Sequence, residues 1–561
     1  MCDHVLGGAF EHRVRLVGHL LAGNDQKVGV NIGGRIEDDA PRMLGEPRQR
    51  EAGCRRVGQR HVARQLSHLR HERLRLGGHL LSFEIAHLQA SDDPLAEHVQ
   101  RVDRGVVRVR DRDGVLGGRH RLVAPVNGDE HGLHVHASTP RGSRKKPPRG
   151  RKVFVRPPGS GTVTDSLVVR DGTIHTQTDR GVVEGDLLVE GDEITAVGDV
   201  DAPADATEID ADGLVVTPGL VEAHSHAGMA EWGEPEDGDV NEGTSATTPH
   251  VNALDGFHPR DEELKHAFQN GVTTVSARMG SGNVIGGVIV SMKTHGTVAD
   301  KMLLCEDGMK AAMGENPKRF HGEGEGRQPA TRPGVAATLR QSLMDAEDYV
   351  ERREHAREAG EPFERDLGME NLARVLAGEL PLRVHAHRAD DIMTVFRLAE
   401  EFGIEDLSIE HATEGHAIAE EFVKRDVPAV VGPSISSASK YELRNLTFET
   451  PGILHRAGVT VAIQTDAPVL PQQHLDACVG LAVKEGLPES AALDVVTTNP
   501  AEILGVSDRV GTLAPGTDAD IAVWDGPFYR FDTGTRHVIV DGNHVFDRKT
   551  DSVDPREAYD W

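Results

Sequence analysis

From residue 162 onward, apolar and polar positions follow two rhythms. Ser166-Leu-Val-Val-Arg-Asp-Gly-Thr-Ile-His175 alternates around a turn signal at Asp171-Gly172, and Gly185-Asp-Leu-Leu-Val-Glu-Gly-Asp-Glu-Ile-Thr-Ala-Val-Gly198 repeats the style. A period of two marks short, half-buried strands joined by tight turns. The same rhythm returns near the C-terminus in Ala519-Asp-Ile-Ala-Val-Trp524 and His537-Val-Ile-Val-Asp-Gly-Asn-His-Val-Phe546. The two ends therefore predict one small composite β-sandwich, built from 163–216 and 506–550. Between them, short apolar runs alternate with helical stretches. Gly271-Val-Thr-Thr-Val-Ser276 is one such run. Leu382-Arg-Val-His-Ala-His387 precedes a helix over 390–401, and Leu407-Ser-Ile-Glu-His411 precedes one near 414–425. Val427-Pro-Ala-Val-Val-Gly432 is followed, after a loop, by a helix over 452–457. Val459-Thr-Val-Ala-Ile-Gln-Thr-Asp466 leads to helices near 475–485 and 488–497. Repeated strand–helix units predict an α/β chain with a (β/α)8 TIM-type barrel over 217–505.

Residues 1–160 lack this rhythm, and their composition differs. They hold 25 Arg, 4 Lys and 13 His and carry a net charge of +11, whereas residues 161–561 carry −39. Stretches such as 48–75 could form basic helices, but no apolar face recurs. Arg141-Gly-Ser-Arg-Lys-Lys-Pro-Pro-Arg-Gly-Arg-Lys152 reads as a basic linker. A nucleic-acid-binding arm would show zinc-finger spacing, an RNP-like motif or a helix-turn-helix pattern, and none is present. Arg-, His- and Gly-heavy text is what GC-rich DNA yields when read upstream of a start codon or on the wrong strand. Val163-Thr-Asp-Ser then opens an ordinary frame. The expectation for 1–160 is an irregular or disordered segment, or a misassigned translation start.

Composition narrows the class further. Of 561 residues 38% are hydrophobic, enough for a large core, and no run of 18 apolar residues suggests a membrane helix. Asp3 and His4 interrupt any signal-peptide pattern. Cys2, Cys54, Cys305 and Cys478 lie far apart without a CxxC, which argues against a disulfide framework and for a reducing cytoplasm. The strongly acidic balance with scarce Lys suggests a halophilic cytoplasm, where a hydrated acidic surface keeps a protein soluble.

Chemistry-bearing residues sit at the predicted strand ends. His224-Ser-His226 follows the apolar run Gly213-Leu-Val-Val-Thr-Pro-Gly-Leu-Val221. Alternate strand residues share a face, so both imidazoles can point at one cation. His385 and His387 close another strand, His411 a third and Asp466 a fourth. Several histidines with one carboxylate form a borderline-soft set suited to zinc.

Thr217-Pro-Gly-Leu-Val-Glu-Ala-His-Ser-His226 resembles the first-strand motif of the metal-dependent amidohydrolase superfamily. Asn499-Pro-Ala-Glu-Ile-Leu-Gly505 and Val510-Gly-Thr-Leu-Ala-Pro-Gly-Thr-Asp-Ala-Asp-Ile-Ala-Val-Trp524 are similar to its closing signature. The resemblance covers about 163–550 and is nearest to imidazolonepropionase and related amidohydrolases. An uncharacterised branch of that group carries motifs like Gly280-Ser-Gly-Asn-Val-Ile-Gly-Gly287 and Met309-Lys-Ala-Ala-Met-Gly-Glu-Asn-Pro-Lys318. The resemblance implies the (β/α)8 barrel with its composite sandwich, and Zn2+ as one or two divalent ions. It implies His224, His226, His385 and His411 as ligands, and Asp466 as both ligand and proton carrier. His387 has no universal counterpart and would orient a neighbour or face the substrate. Two-metal members use a bridging carboxylate, for which carbamylated Lys310 and Glu315 both stand open. Arg388 could bind a substrate carboxylate, or pair with Asp390 or Asp391.

The activity so implied is hydrolysis of a C–N bond in a small amide, lactam or amidine. Asp466 would move the proton, and His411 or His387 would hold the oxyanion. Alternatives are a zinc dipeptidase or prolidase-like peptidase, an imidazolonepropionase of histidine degradation, and a non-catalytic barrel used for binding. The stretch over 227–239 does not look like the segment with which imidazolonepropionases bind their small acidic ring substrate. The expected partner is a small-molecule substrate, with no membrane and no nucleic acid. A homo-oligomer stays open.

Overall fold

The structure, a computed structural model, describes residues 74–76, 79–84, 108–111, 166–230, 239–437 and 439–551. It divides into two units, 1–143 and 144–561. In the first unit, β1 (Leu74–Leu76), β2 (His79–Glu84) and β3 (Arg108–Asp111) form an antiparallel sheet. Leu74 and Arg75, the end of the stretch expected as basic helix, are therefore strand. The rest of that stretch, the 141–152 linker and Val163 lie outside the described residues.

In the second unit, β4 (Ser166–His175), β5 (Val182–Glu190), β6 (Glu193–Gly198), β7 (Thr207–Asp210) and β8 (Val215–Pro218) come first. Then follow β9 (Leu220–Ser225), β10 (Val272–Ala277), β11 (Ile285–Lys293), β12 (Leu303–Ala312), β13 (Leu382–Ala386), β14 (Leu407–His411), β15 (Ala429–Val431) and β16 (Val461–Ile463). The chain ends with β17 (Ile521–Trp524), β18 (Thr535–Val540) and β19 (Asn543–Asp547).

The outer strands join in the order β19-β18-β17-β8-β4-β5-β6, with β7 also on β4. The seam is the antiparallel pair β8–β17, where Val216 faces Val523. Inward positions from both ends, including Leu167, Val169, Ile174, Leu187, Val216, Ile521 and Ile539, form one buried cluster. This is the period-two pattern realised: alternate residues face one core.

The inner strands run β9 to β16 in sequence order. β9–β10 and β12 through β16 pair in parallel, while β11 is antiparallel to both neighbours. The barrel thus departs at one strand from the all-parallel pattern. A parallel crossover needs about a dozen or more residues, and the connection from Arg278 to Val284 is too short, so the chain turns straight back. Near closure, His226 N donates to Ala467 O at 2.8 Å and Thr465 N donates to the Glu222 carboxylate at 2.9 Å.

The apolar run at 213–221 is broken into β8 and β9 at Gly219. A Cβ there would lie 2.2 Å from Thr273 Oγ1, so only glycine allows the approach. The helices Ala389–Phe402, Ala419–Arg425, Thr450–Ala457 and Leu475–Lys484 stand where the pattern places them. The helix expected near 488–497 is instead two short turns, Glu489–Ala491 and Asp494–Val496, and the α-helix follows at Thr498–Leu504. Pro500 lies in its first turn, where an amide N–H has no helical partner to lose, so Asn499-Pro500 marks a start and not a stop. Ile503 of this helix packs with Ala223, Val430 and Ala462. Arg332–Ala359 and Leu367–Leu376, two helices the pattern did not predict, fill the connection from β12 to β13.

Candidate active site

The strand-end residues gather at one place. His224 and His226 come from β9 and the turn after it, His385 from β13 and His387 from just after it, His411 from the end of β14, and Asp466 follows β16. The rings of His224 and His411 lie 4.8 Å apart, those of His385 and His411 4.2 Å, and those of His385 and His387 4.6 Å. Two groups could each hold a metal ion: His224, His226 and Asp466, and His385, His387 and His411. His411 and Asp466 have φ of 69° and 56°, left-handed values that cost non-glycine residues energy and persist where the surroundings enforce them.

The closest partner of each Nδ1 is an acceptor, which places the ring protons there. His224 Nδ1 donates to the Glu410 carboxylate at 2.8 Å, and His226 Nδ1 donates to Arg278 O at 2.8 Å. Each therefore turns an unprotonated Nε2 inward. Those two nitrogens lie 3.3 and 3.2 Å from Asp466 Oδ1. Three electron-pair donors converge with no proton between them, which a cation would reconcile. Nearby, His385 Nε2 and His411 Nε2 are buried with no hydrogen-bond partner. His385 Nδ1 is held by Ser281 Oγ at 2.9 Å, and His411 Nδ1 lies 2.8 Å from Gly432 O. The residues present fit a metal ion.

The electrostatics agree. Burial, with Lys310 and Arg278 nearby, lowers His224 to about 4, so it stays the neutral imidazole a metal needs. Burial pushes Asp466 up, but the neighbouring His411, His224 and His226 outweigh this and hold it well below the usual carboxylate range. Lys310, fully buried, has its Nζ 3.4 Å from His224 Nε2. Burial, reinforced by Arg278, brings its amine down to about 7.

Not every candidate comes to this centre. Glu315 accepts from Arg319 NH1 at 2.9 Å, and its own amide donates to Glu442. Arg388 is chelated by Asp390, with Nε to Oδ1 at 2.8 Å and NH2 to Oδ2 at 2.7 Å. His387 is at the centre, with Nδ1 2.8 Å from Thr413 Oγ1 and Nε2 3.1 Å from Lys440 Nζ.

Sequence reasoning missed Arg278, Glu410 and Lys440. Arg278 is fully buried and bonds Glu410 at 3.0 Å. The available signal for Glu410 was its place beside His411 in an otherwise apolar strand, where a carboxylate needs a buried partner.

Comparisons place this geometry in a family. The profile of the Amidohydrolase family matches residues 215–545. The amidohydrolase tasK of Hapsidospora irregularis is 32% identical over 393 residues, which is 65% of this chain and 40% of that protein. The imidazolonepropionase of Paracoccus denitrificans is 26% identical over 62% of this chain and 89% of its own length. The crystal structure of an amidohydrolase from Thermotoga maritima MSB8 superposes with a TM-score of 0.66 at 39% identity, covering 68% of this chain and all of that one. No helix among the described residues is long and apolar enough to cross a membrane. The resemblance read from the first-strand motif is borne out: the chain belongs to the amidohydrolase family and is a hydrolase acting on carbon–nitrogen bonds.

Proposed function

We propose that the chain cleaves the C–N bond of a small amide, lactam or amidine with one or two divalent ions held by His224, His226, His385, His411 and Asp466. Zinc suits so histidine-rich a set best. The observation that carries this reading is the convergence of His224 Nε2, His226 Nε2 and Asp466 Oδ1 beside the unpartnered Nε2 atoms of His385 and His411. A divalent ion held by these residues would supply Lewis acidity.

The chain's own groups do the rest. Asp466, in its basic form, accepts the proton of the attacking water and returns it to the leaving nitrogen. Lys310 is better placed than Glu315 to furnish a further carboxylate. Its neutral amine can add to carbon dioxide, forming an N–C bond and releasing a proton, to give a carbamate beside His224. That position also supports the dipeptidase-like reading, which needs such a carboxylate. Residues 231–238, which bear on the imidazolonepropionase reading, lie outside the described residues.

Elemental analysis of the purified chain tests the proposal. One or two divalent ions per chain, lowered by His385→Ala and by His411→Ala, are expected. No bound metal after incubation with zinc or manganese, together with no C–N cleavage, would overturn it.

A further inference from the structure

The ammonium of Lys440 meets the candidate centre from outside the barrel strands. It stands in the connection between β15 and β16, and its Nζ donates to His387 Nε2 at 3.1 Å and to Asn316 Oδ1 at 2.9 Å. An ammonium has three N–H donors, so one is left. Glu442 Oε1 forms an ion pair with it at 3.6 Å, longer than a hydrogen bond, and is itself buried without a hydrogen-bond partner. Lys440 is not needed to hold Glu442 in place. Arg332 NH2 bonds the other Glu442 oxygen at 3.2 Å, and the Glu315 amide bonds it at 2.9 Å. The Lys440 side chain is 22% exposed, while those of His387 and Glu442 are at 4% and 0%, so the ammonium is on the open side of the group.

Charge decides what such a lysine is for. The ring of His387 lies 4.6 Å from that of His385 and 4.7 Å from that of His411, whose Nε2 atoms are free to bind a cation. Glu442 balances the ammonium from the buried side, and on the open side a bound cation would repel it unless an anion came between them. We infer that Lys440 binds a carboxylate on the substrate, which makes the substrate class small amides that carry an acid group; this rests on the hydrolase reading above. Asn316 aims the ammonium, and Glu442 pairs with it from the buried side. Asn316 belongs to the same segment as Lys310, so one stretch of chain serves both the candidate metal centre and the specificity pocket.

The test uses the metal-loaded full chain with N-acetylalanine and N-acetylalaninamide. Thermal shift reads binding without turnover. The acid should raise Tm and the amide should not, and Lys440→Met should abolish the shift while Lys440→Arg retains part of it. With a carboxylate-bearing substrate that turns over, Lys440→Met should raise KM at least about tenfold, the scale of one charge-assisted hydrogen bond, with kcat little changed. If Lys440→Met does not fold, Lys440→Gln is read in the same way. Equal shifts by acid and amide on the unaltered chain would overturn the inference. So would an undiminished shift in the variant, or a fall in kcat at constant KM, which would assign Lys440 to the reacting oxyanion. Retained selective binding with no cleavage of any C–N substrate would count against the hydrolase reading alone.

Discussion

His224 Nδ1 and Glu410 Oε2 meet at 2.8 Å, with neither side chain exposed to solvent. Arg278 NH1 reaches the same oxygen at 3.0 Å. Burial pushes the Glu410 carboxyl up, but Arg278 and His224 outweigh it and keep it ionised. The ion pair therefore fixes the ring of His224 and the nitrogen it turns inward. Glu410→Gln should weaken metal binding about 10–100-fold, the usual scale for losing such a support. It also leaves Arg278 buried without its anion, at a cost of roughly 3–5 kcal/mol. Chelator competition and urea unfolding measure the two effects, and unchanged metal affinity would show that His224 is oriented by something else.

Lys310 and Glu315 make opposite predictions. Lys310→Met removes the amine beside His224 and should lower the metal count. In protein equilibrated with 13C-bicarbonate, a carbamate carbon signal should be present and should vanish in the variant. Glu315→Gln breaks only a pair with Arg319, whose side chain is 50% exposed, so stability should change by less than about 1 kcal/mol and metal content not at all. A metal loss in the Glu315 variant, with none in the Lys310 variant, would reverse the assignment.

The residues that gather at the centre were legible because each closes a short apolar run. A histidine or aspartate at such an end has few places to point but the barrel mouth. Their supports were not legible. Glu410 and His224 are far apart in sequence, and only the order of strands brings them together. Arg278 reads as an ordinary loop arginine after β10. It is buried because its guanidinium turns inward to Glu410 of β14 and Ala223 O of β9, partners that only the order of strands brings to it. Lys440 reads as surface charge in a polar loop. The asparagine that orients it, Asn316, stands in a segment that sequence reasoning searched for a bridging carboxylate, not for a hydrogen-bond acceptor. The helix expected near 488–497 lies instead at Thr498–Leu504, and Pro500 fits there because the first turn of a helix tolerates proline.

Glu263 provides a pH test away from the candidate ligands. It is fully buried in the helix Glu262–Gln269, accepts from the Gln472 amide, and its Oε2 has no hydrogen-bond partner. Burial raises its carboxyl to about 7. Between its ordinary value and about 7 the folded chain holds a proton that the unfolded chain has released. Stability therefore falls as pH rises through that window. Glu263→Gln keeps an acceptor for Gln472 and removes the titration. It should be more stable than the unaltered chain at pH 8, by about 1–3 kcal/mol, and little different at pH 4.5. Chemical denaturation at the two pH values reads this out, and a variant equally destabilised at both would show that Glu263 is charged and needed.

Asp466 bears the proton transfer in the proposed reaction. It follows the last barrel strand, its left-handed backbone turns the carboxylate toward the centre, and Oδ1 lies 3.3 Å from His224 Nε2 and 3.2 Å from His226 Nε2. Asp466→Asn keeps the size and one coordinating oxygen, but an amide cannot accept a proton at neutral pH. General acid–base help is worth roughly 10²–10⁴-fold, so turnover should drop by at least that factor while metal remains bound. Asparagine tolerates the left-handed region nearly as well as aspartate, so the fold should survive and the loss can be read as chemistry. Near-normal kcat in the Asn variant with metal retained would show that another group, such as His387 or His411, moves the proton. A parallel loss of metal would show Asp466 to be chiefly a ligand. Measuring metal content and kcat on the same preparation separates the two.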